Sequence, residues 1–316
     1  MSTALLSPST GLNWTVLRLH RGALWLWCAY VAVAAGLLLW AWGPGTAGLG
    51  VTGHCSSLVA NACAAKGPTA DAYHYVLLTV DTFLTLLPLA VAVFASGTLI
   101  GRELESGTAH LAWTQSVSPT RWLMAKLVLP ALALTLGTGI LVLLRRAVAA
   151  QQPDLADNRW FSFSDNFEVL GPIVVALPLL GLACGTLGAL LRRRMLAGAG
   201  VGFVLTLLLW QTAGYLSPHL WPTKTVVGTV AQGNLPFAGV TMGDGAVTAS
   251  GAHIADPFCG DDTACLTDHH ITGYYTEGHP PSHFWPLQLV ETGLLLGAAG
   301  VITLIVFRVL SRRVGS

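Results

Sequence analysis

"GRELESGTAHLAWTQSVSPTRW", residues 101–122, decides how this chain is read. It is the most polar run among the early hydrophobic blocks, and it separates two of them, 75–100 and 123–144. Gly101 reads as the break that ends the preceding helix. Glu103 to Gln115 reads as a short helix whose Leu104, Leu111 and Ala112 share one face. Ser118 followed by Pro119 starts the next helix, because serine satisfies orphan amides and proline suits the first helical position. Trp122 then reads as a marker of the membrane–water interface. The grammar is span, break, surface helix, cap, span. An ordinary amphipathic loop helix lying on lipid has the same grammar.

The composition around this stretch agrees with a membrane setting. The chain has 316 residues, 53% hydrophobic and 10% charged, against about 25% charged in a soluble domain. Its net charge of +1 gives no global field for nucleic acid. Six segments reach the roughly 20 apolar residues a transmembrane helix needs: 23–42, 75–100, 123–144, 170–191, 196–216 and 285–309. The first is read as a retained span, since two arginines precede it and no small-residue cleavage site follows.

Six spans place both termini on one side, and the positive residues choose the cytoplasm. With the N-terminus inside, eleven lysines and arginines and two acidic residues fall on the inner face, against five and eleven on the outer one. Arg145 and Arg146 oppose the rule at the outer end of span three and are expected to snorkel to headgroups. Cys55 and Cys63 fall in the first outer loop, and Cys259 and Cys265 in the last, so both pairs face an oxidising compartment. Each pair is close enough to close a small ring, and bonds Cys55–Cys63 and Cys259–Cys265 are expected; free or metal-binding thiols are the alternative.

Residues 1–22 read as a cytoplasmic stretch with an interfacial helix, Trp14 at headgroup level and Arg18 and Arg21 toward anionic lipid; a frayed start of span one fits equally. Residues 23–216 hold spans one to five with the surface helix at 101–117, residues 217–283 form an extracellular appendage, and 284–316 are span six and a short tail. Trp160, Phe161, Phe163 and Phe167 suit an aromatic belt. The appendage reads as loops with a few strands, "TKTVVGTV" among them. Glycines at four-residue spacing, Gly181 and Gly185, Gly198 and Gly202, Gly293 and Gly297, point to close helix packing.

Catalytic signatures are missing. The chain has no G-x-x-x-x-G-K-[ST] phosphate loop, no H-E-x-x-H and no G-x-S-x-G. It is not expected to be an enzyme by itself. The histidines of the last outer loop fit no common zinc spacing, so no metal site is expected.

The segment "RELESGTAHLAWTQSVSPTRWLMAK" resembles the region after the second span in permeases of ABC type-2 exporters, most closely an actinobacterial branch. The span order, the arginine hairpin Arg192–Arg194 and the opening "HFWPLQLVETG" extend the resemblance over most of the chain. It implies an all-α bundle of six spans with both termini cytoplasmic. The short helix between spans two and three becomes a coupling helix seated on a separate ATPase. On that resemblance Glu103, Glu105, Gly107, Thr108, Trp113 and Gln115 are ATPase-coupling residues. Two copies of the chain would pair with two ATPase subunits, which alone hold ATP and Mg, in a bacterial plasma membrane. The cargo would be hydrophobic or amphipathic: a drug, lipid or peptide. It also implies short re-entrant helices before the last span, where this chain has "YYTEGHPPSHF". An ion-coupled secondary transporter and a non-transporting sensor or immunity protein remain the alternatives.

Two carboxylates inside spans complete the reading. Asp81 and Glu291 are each too costly to leave in lipid, so they must face protein or water. With Gln288, three residues before Glu291, they form a candidate polar patch on the outer part of the translocation path or the dimer seam, binding substrate polar groups or acting as an outer gate; bonding to a neighbouring helix, or protonation of the carboxylates, is the alternative.

Overall fold

The computed structural model describes residues 21–52, 64–114, 117–153, 155, 166–192, 194–232, 237 and 239–314. Residues 1–20 of the expected interfacial stretch, the pair Cys55 and Cys63, Gln115, the aromatics Trp160, Phe161 and Phe163, and Arg193 of the arginine hairpin therefore lie outside the described residues, while Arg21 opens the first span helix.

Among the described residues, six helical stretches are long and apolar enough to cross a membrane. They are built on α1 (Arg21–Trp42), α2 (Ala70–Phe94), α5 (Pro119–Gln151), α6 (Ile173–Arg192), α7 (Met195–Leu216) and α9 (Phe284–Val314). Between the second and third stretches lie α3 (Arg102–Glu105) and α4 (Thr108–Thr114). A hairpin of β1 (Gly50–Thr52) and β2 (Ala64–Lys66) follows α1.

α6 is the axis of the bundle: 83% of its apolar window is buried, against 11% for α1. It packs against α2, α5, α7 and α9. Glycine makes this possible. A Cβ at Gly181 would collide with the Pro88 carbonyl, one at Gly185 with the Ala92 carbonyl, and one at Gly202 would stand 2.8 Å from the Gly185 Cα. Backbones thus touch directly where lipid supplies no hydrophobic drive. Gly293 and Gly297 differ: a Cβ there meets nothing within 4 Å, so they mark no contact among the described residues. α1 packs on α5, where the Trp27 indole donates to the Ala133 carbonyl (3.0 Å) and its ring fills the space left by Gly137.

Span two departs from the sequence reading. α2 does not break at Gly101, whose backbone is helical (φ −59°, ψ −42°). It widens into π-helical turns over Ala95–Gly101 and runs on into α3. The break falls at Gly107, whose φ of +75° is the left-handed conformation that glycine adopts without cost. Ser118 then caps α5, accepting from the Arg121 amide (3.4 Å), with Pro119 in the first turn.

The appendage is more ordered than loops with occasional strands, so the molecule is mostly rather than wholly helical. β3 (Lys224–Thr229), β4 (Val240–Thr248), β5 (His253–Ile254) and β6 (Ile271–His279) form an antiparallel sheet in the order β3-β6-β4-β5. Lys224 pairs Gly278, and Asp244 pairs Thr276. Behind it, Ala246, Leu266, Ile271 and Tyr274 make a small core with the bridge Cys259–Cys265, Cα–Cα 5.5 Å. That bridge closes the short α8 (Thr263–Asp268), capped by Asp262. "YYTEGHPPSHF" is not a pair of re-entrant helices. It is the end of β6 and a single turn, Pro281–His283, leading into α9, because β6 is claimed on both edges by β3 and β4.

Candidate functional site

Among the described residues, two polar assemblies and a separate ion pair interrupt the apolar bundle. The first lies at the end that carries α3 and α4. The Glu103 carboxylate accepts from Lys126 Nζ (2.7 Å) through one oxygen and from the Trp122 indole (3.1 Å) through the other. Lys126 also donates to the Leu99 carbonyl (2.9 Å), in the π-helical turns. The widened turns leave a carbonyl for that ammonium to take, as helical distortions often do. Glu105 accepts from the Met195 amide (2.8 Å) and so caps α7. Lys126 and Trp122 are both buried, so Trp122 packs inside the chain and is not an interface marker.

Around Gly107 the turn is held by hydroxyls. Ser106 Oγ and Thr108 Oγ1 lie 3.0 Å apart, and Thr108 also reaches the Glu103 carbonyl (3.4 Å). Trp113 stands edge-on to Trp122 (5.6 Å) and to His110 (4.7 Å), half-buried on the chain's own core, with its indole N–H buried and unpartnered. The large exposed apolar side chain of α4 is Leu111, at 62%. Glu103, Glu105, Gly107, Thr108 and Trp113 are thus gathered into one module.

The second assembly joins the sheet-bearing ends of the helices. Gln288 is fully buried. Its amide donates to the Phe167 carbonyl and accepts from the Ile173 amide (3.4 Å), the first of α6. Gly171 leaves the space it occupies. One turn along, Glu291 accepts from the Ser217 hydroxyl at the end of α7. The neighbouring Glu168 accepts from the Trp210 indole (2.9 Å), while its second oxygen is buried and unpartnered. Burial raises the Glu168 carboxyl above the usual range, opposed by the Trp210 bond. Phe167 is buried against Phe284 (5.7 Å), so it belongs to this joint and not to an aromatic belt.

Asp81 is not part of that joint. It is bound in a two-pronged pair by Arg145, Nε to Oδ1 3.0 Å and Nη2 to Oδ2 3.0 Å. Arg145 is fully buried and does not snorkel, because α5 continues past span three's expected end to Gln151. The bonding roles of Arg145, Lys126 and Ser217 escaped the sequence reading. The signal available for the first was that a carboxylate within one span calls for a cation within another.

The bridged sulfurs of Cys259 and Cys265 cluster with His269, with all three candidate ligand atoms within 4.8 Å of one another. Sulfurs bonded to each other are not thiolate ligands, so this cluster does not fit a zinc site.

A six-span bundle with a polar module between its second and third spans defines a multi-pass membrane protein. The family model described as "ABC-2 membrane transporter related" matches residues 23–216, more than half of the chain, and the chain belongs to that family. Members are transmembrane permeases that are not enzymes by themselves and that typically work with an ABC ATPase. No curated protein and no solved structure matches the chain.

Proposed function

We propose that this chain is the permease of an ATP-driven exporter in a bacterial plasma membrane. Two copies pair with two cytoplasmic ATPase subunits, which hold ATP and Mg, and move a hydrophobic or amphipathic molecule outward. In this reading both termini and the α3–α4 module face the cytoplasm, and the sheet lies outside.

The observation that carries the reading is the wiring of the α3–α4 module. A push on α4 reaches α5 through Glu103–Lys126 and Trp122, reaches α7 through Glu105–Met195, and reaches α2 through the Leu99 carbonyl. Three spans are therefore tied through α3 to the segment that α4 extends, an arrangement suited to rigid-body switching. Glu103 and Glu105 position the module, while Leu111 and the exposed residues beside it meet the ATPase. At the other end, Gln288 and Glu291 lock α9 to the segment before α6 and to the end of α7, and form the outer gate.

The test is isolation of the full chain from its native membrane. A nucleotide-binding subunit should come with it in equal amount, with ATP hydrolysis that rises when cargo is added to proteoliposomes. Lys126→Met should leave the subunits together but reduce cargo-stimulated hydrolysis toward its basal rate. A chain that isolates alone and transports on an ion gradient would establish the secondary-transporter reading instead.

A further inference from the structure

A cleft of about 290 Å³ opens between α5 and α9 at the sheet-bearing end, lined by Arg146, Ala149, Ala150, Phe284 and Trp285 among others. Among the described residues, its one charged lining residue is Arg146. The guanidinium lies over the Trp285 ring (4.6 Å to the centroid), also within 5.5 Å of the Phe284 centroid, and donates Nη1 to the Leu170 carbonyl (2.7 Å). Among the described residues, no carboxylate pairs with it, in contrast to Arg145 one position earlier. Guanidinium carries five donors, and a planar group fixed by stacking and one hydrogen bond still offers several to an anion.

The surroundings state what kind of anion fits. Arg146 is about 8 Å from the end of α5 at Gln151, given the helical rise. Trp285 is the second residue of α9 and is half exposed. A tryptophan and a held arginine at that depth sit at headgroup level. Below them the helix faces are apolar and uncovered: Leu143 and Leu136 on α5, and Leu289 and Leu296 on α9, are all more than 40% exposed. A ligand with a negative head and hydrocarbon tails matches this sequence of surfaces from the end of the bundle inward.

We propose that this cleft is a binding site for an anionic phospholipid of the adjoining leaflet, its phosphate on Arg146 and an acyl chain along the Leu143 and Leu289 faces. Alternating the two arginines divides their labour: Arg145 is spent inside the protein on Asp81, and Arg146 is left for lipid. The site is independent of the direction of transport and of the ATPase.

The experiment is native mass spectrometry of the full-length chain, released from nanodiscs of equal phosphatidylglycerol and phosphatidylcholine. Wild type should retain phosphatidylglycerol in preference to phosphatidylcholine. Arg146→Gln should lose that preference by about fivefold or more, the order expected for one arginine at a charged surface with its aromatic neighbour. Ala150→Trp, which fills the cleft and keeps the guanidinium, should lose it as well. Glycerol 3-phosphate in excess should not displace the lipid. Equal retention of both lipids by wild type, unchanged preference in either variant, or displacement by glycerol 3-phosphate would each overturn the proposal, the last by making it a free-anion site.

Discussion

At the scale of residues, the ionisable side chains inside this bundle are placed for holding it together. Asp81 and Arg145 lie 64 positions apart and meet through two parallel bonds, an arrangement only a planar guanidinium makes. Removing one partner strands the other. Asp81→Asn is expected to destabilise the chain by about 3 kcal/mol or more, while Asp81→Leu with Arg145→Leu recovers most of it. Thermal melting in detergent, followed by size-exclusion recovery, reads the difference; a single variant that melts like wild type would remove the pair's structural role. Glu168 offers a pH-dependent test. Its carboxyl is raised by burial, so the folded chain holds this proton more tightly than the unfolded one. Stability from that proton is complete at low pH and is lost as pH rises toward the folded value. Glu168→Gln keeps the Trp210 acceptor, should melt above wild type at alkaline pH, and should match it near about pH 4. A constant difference across pH would show that Glu168 does not titrate in this range.

At the scale of elements, the region between spans two and three depends on one backbone conformation. A Cβ on Gly107 would meet nothing within 4 Å, so a substitution there acts through φ alone. Gly107→Ala should cost about 1 kcal/mol and Gly107→Asn less, since asparagine tolerates the left-handed region. Hydrogen exchange would show the loss as faster exchange in 108–114 with the spans unchanged. The two large apolar residues of α4 have different roles. Trp113→Ala removes a ring packed on Trp122 and should loosen the module itself. Leu111→Glu leaves the fold intact and should abolish ATPase association, because a buried interface core does not accept an unpaired charge. If Leu111→Glu still assembles, α4 does not carry the docking surface.

At the scale of the whole molecule, the bundle is organised around α6 and its glycines. Gly185→Leu drives a side chain into the Ala92 carbonyl and should leave no folded chain. Gly293→Leu and Gly297→Leu should melt within about 0.5 kcal/mol of wild type as isolated chains. Equal damage at all three positions, measured by recovery of monodisperse protein, would contradict this packing.

Much of this architecture is legible in the order of residues alone. The six apolar blocks, the Ser118–Pro119 helix start and the "TKTVVGTV" strand depend on local composition and periodicity, which act within a few residues. The resemblance carried by the stretch after span two pointed to the family whose model matches residues 23–216. What tertiary structure alone decided are the partners: Glu103 with Lys126 and Trp122, Arg145 with Asp81, Gln288 with Phe167 and Ile173, and the order of the strands. Hydropathy says that a helix crosses a membrane but not which face it turns to its neighbour. Those contacts join residues 19 to 121 positions apart. They exist only once close approach at Gly181, Gly185 and Gly202 has set the helices side by side and left each buried charge one place to go.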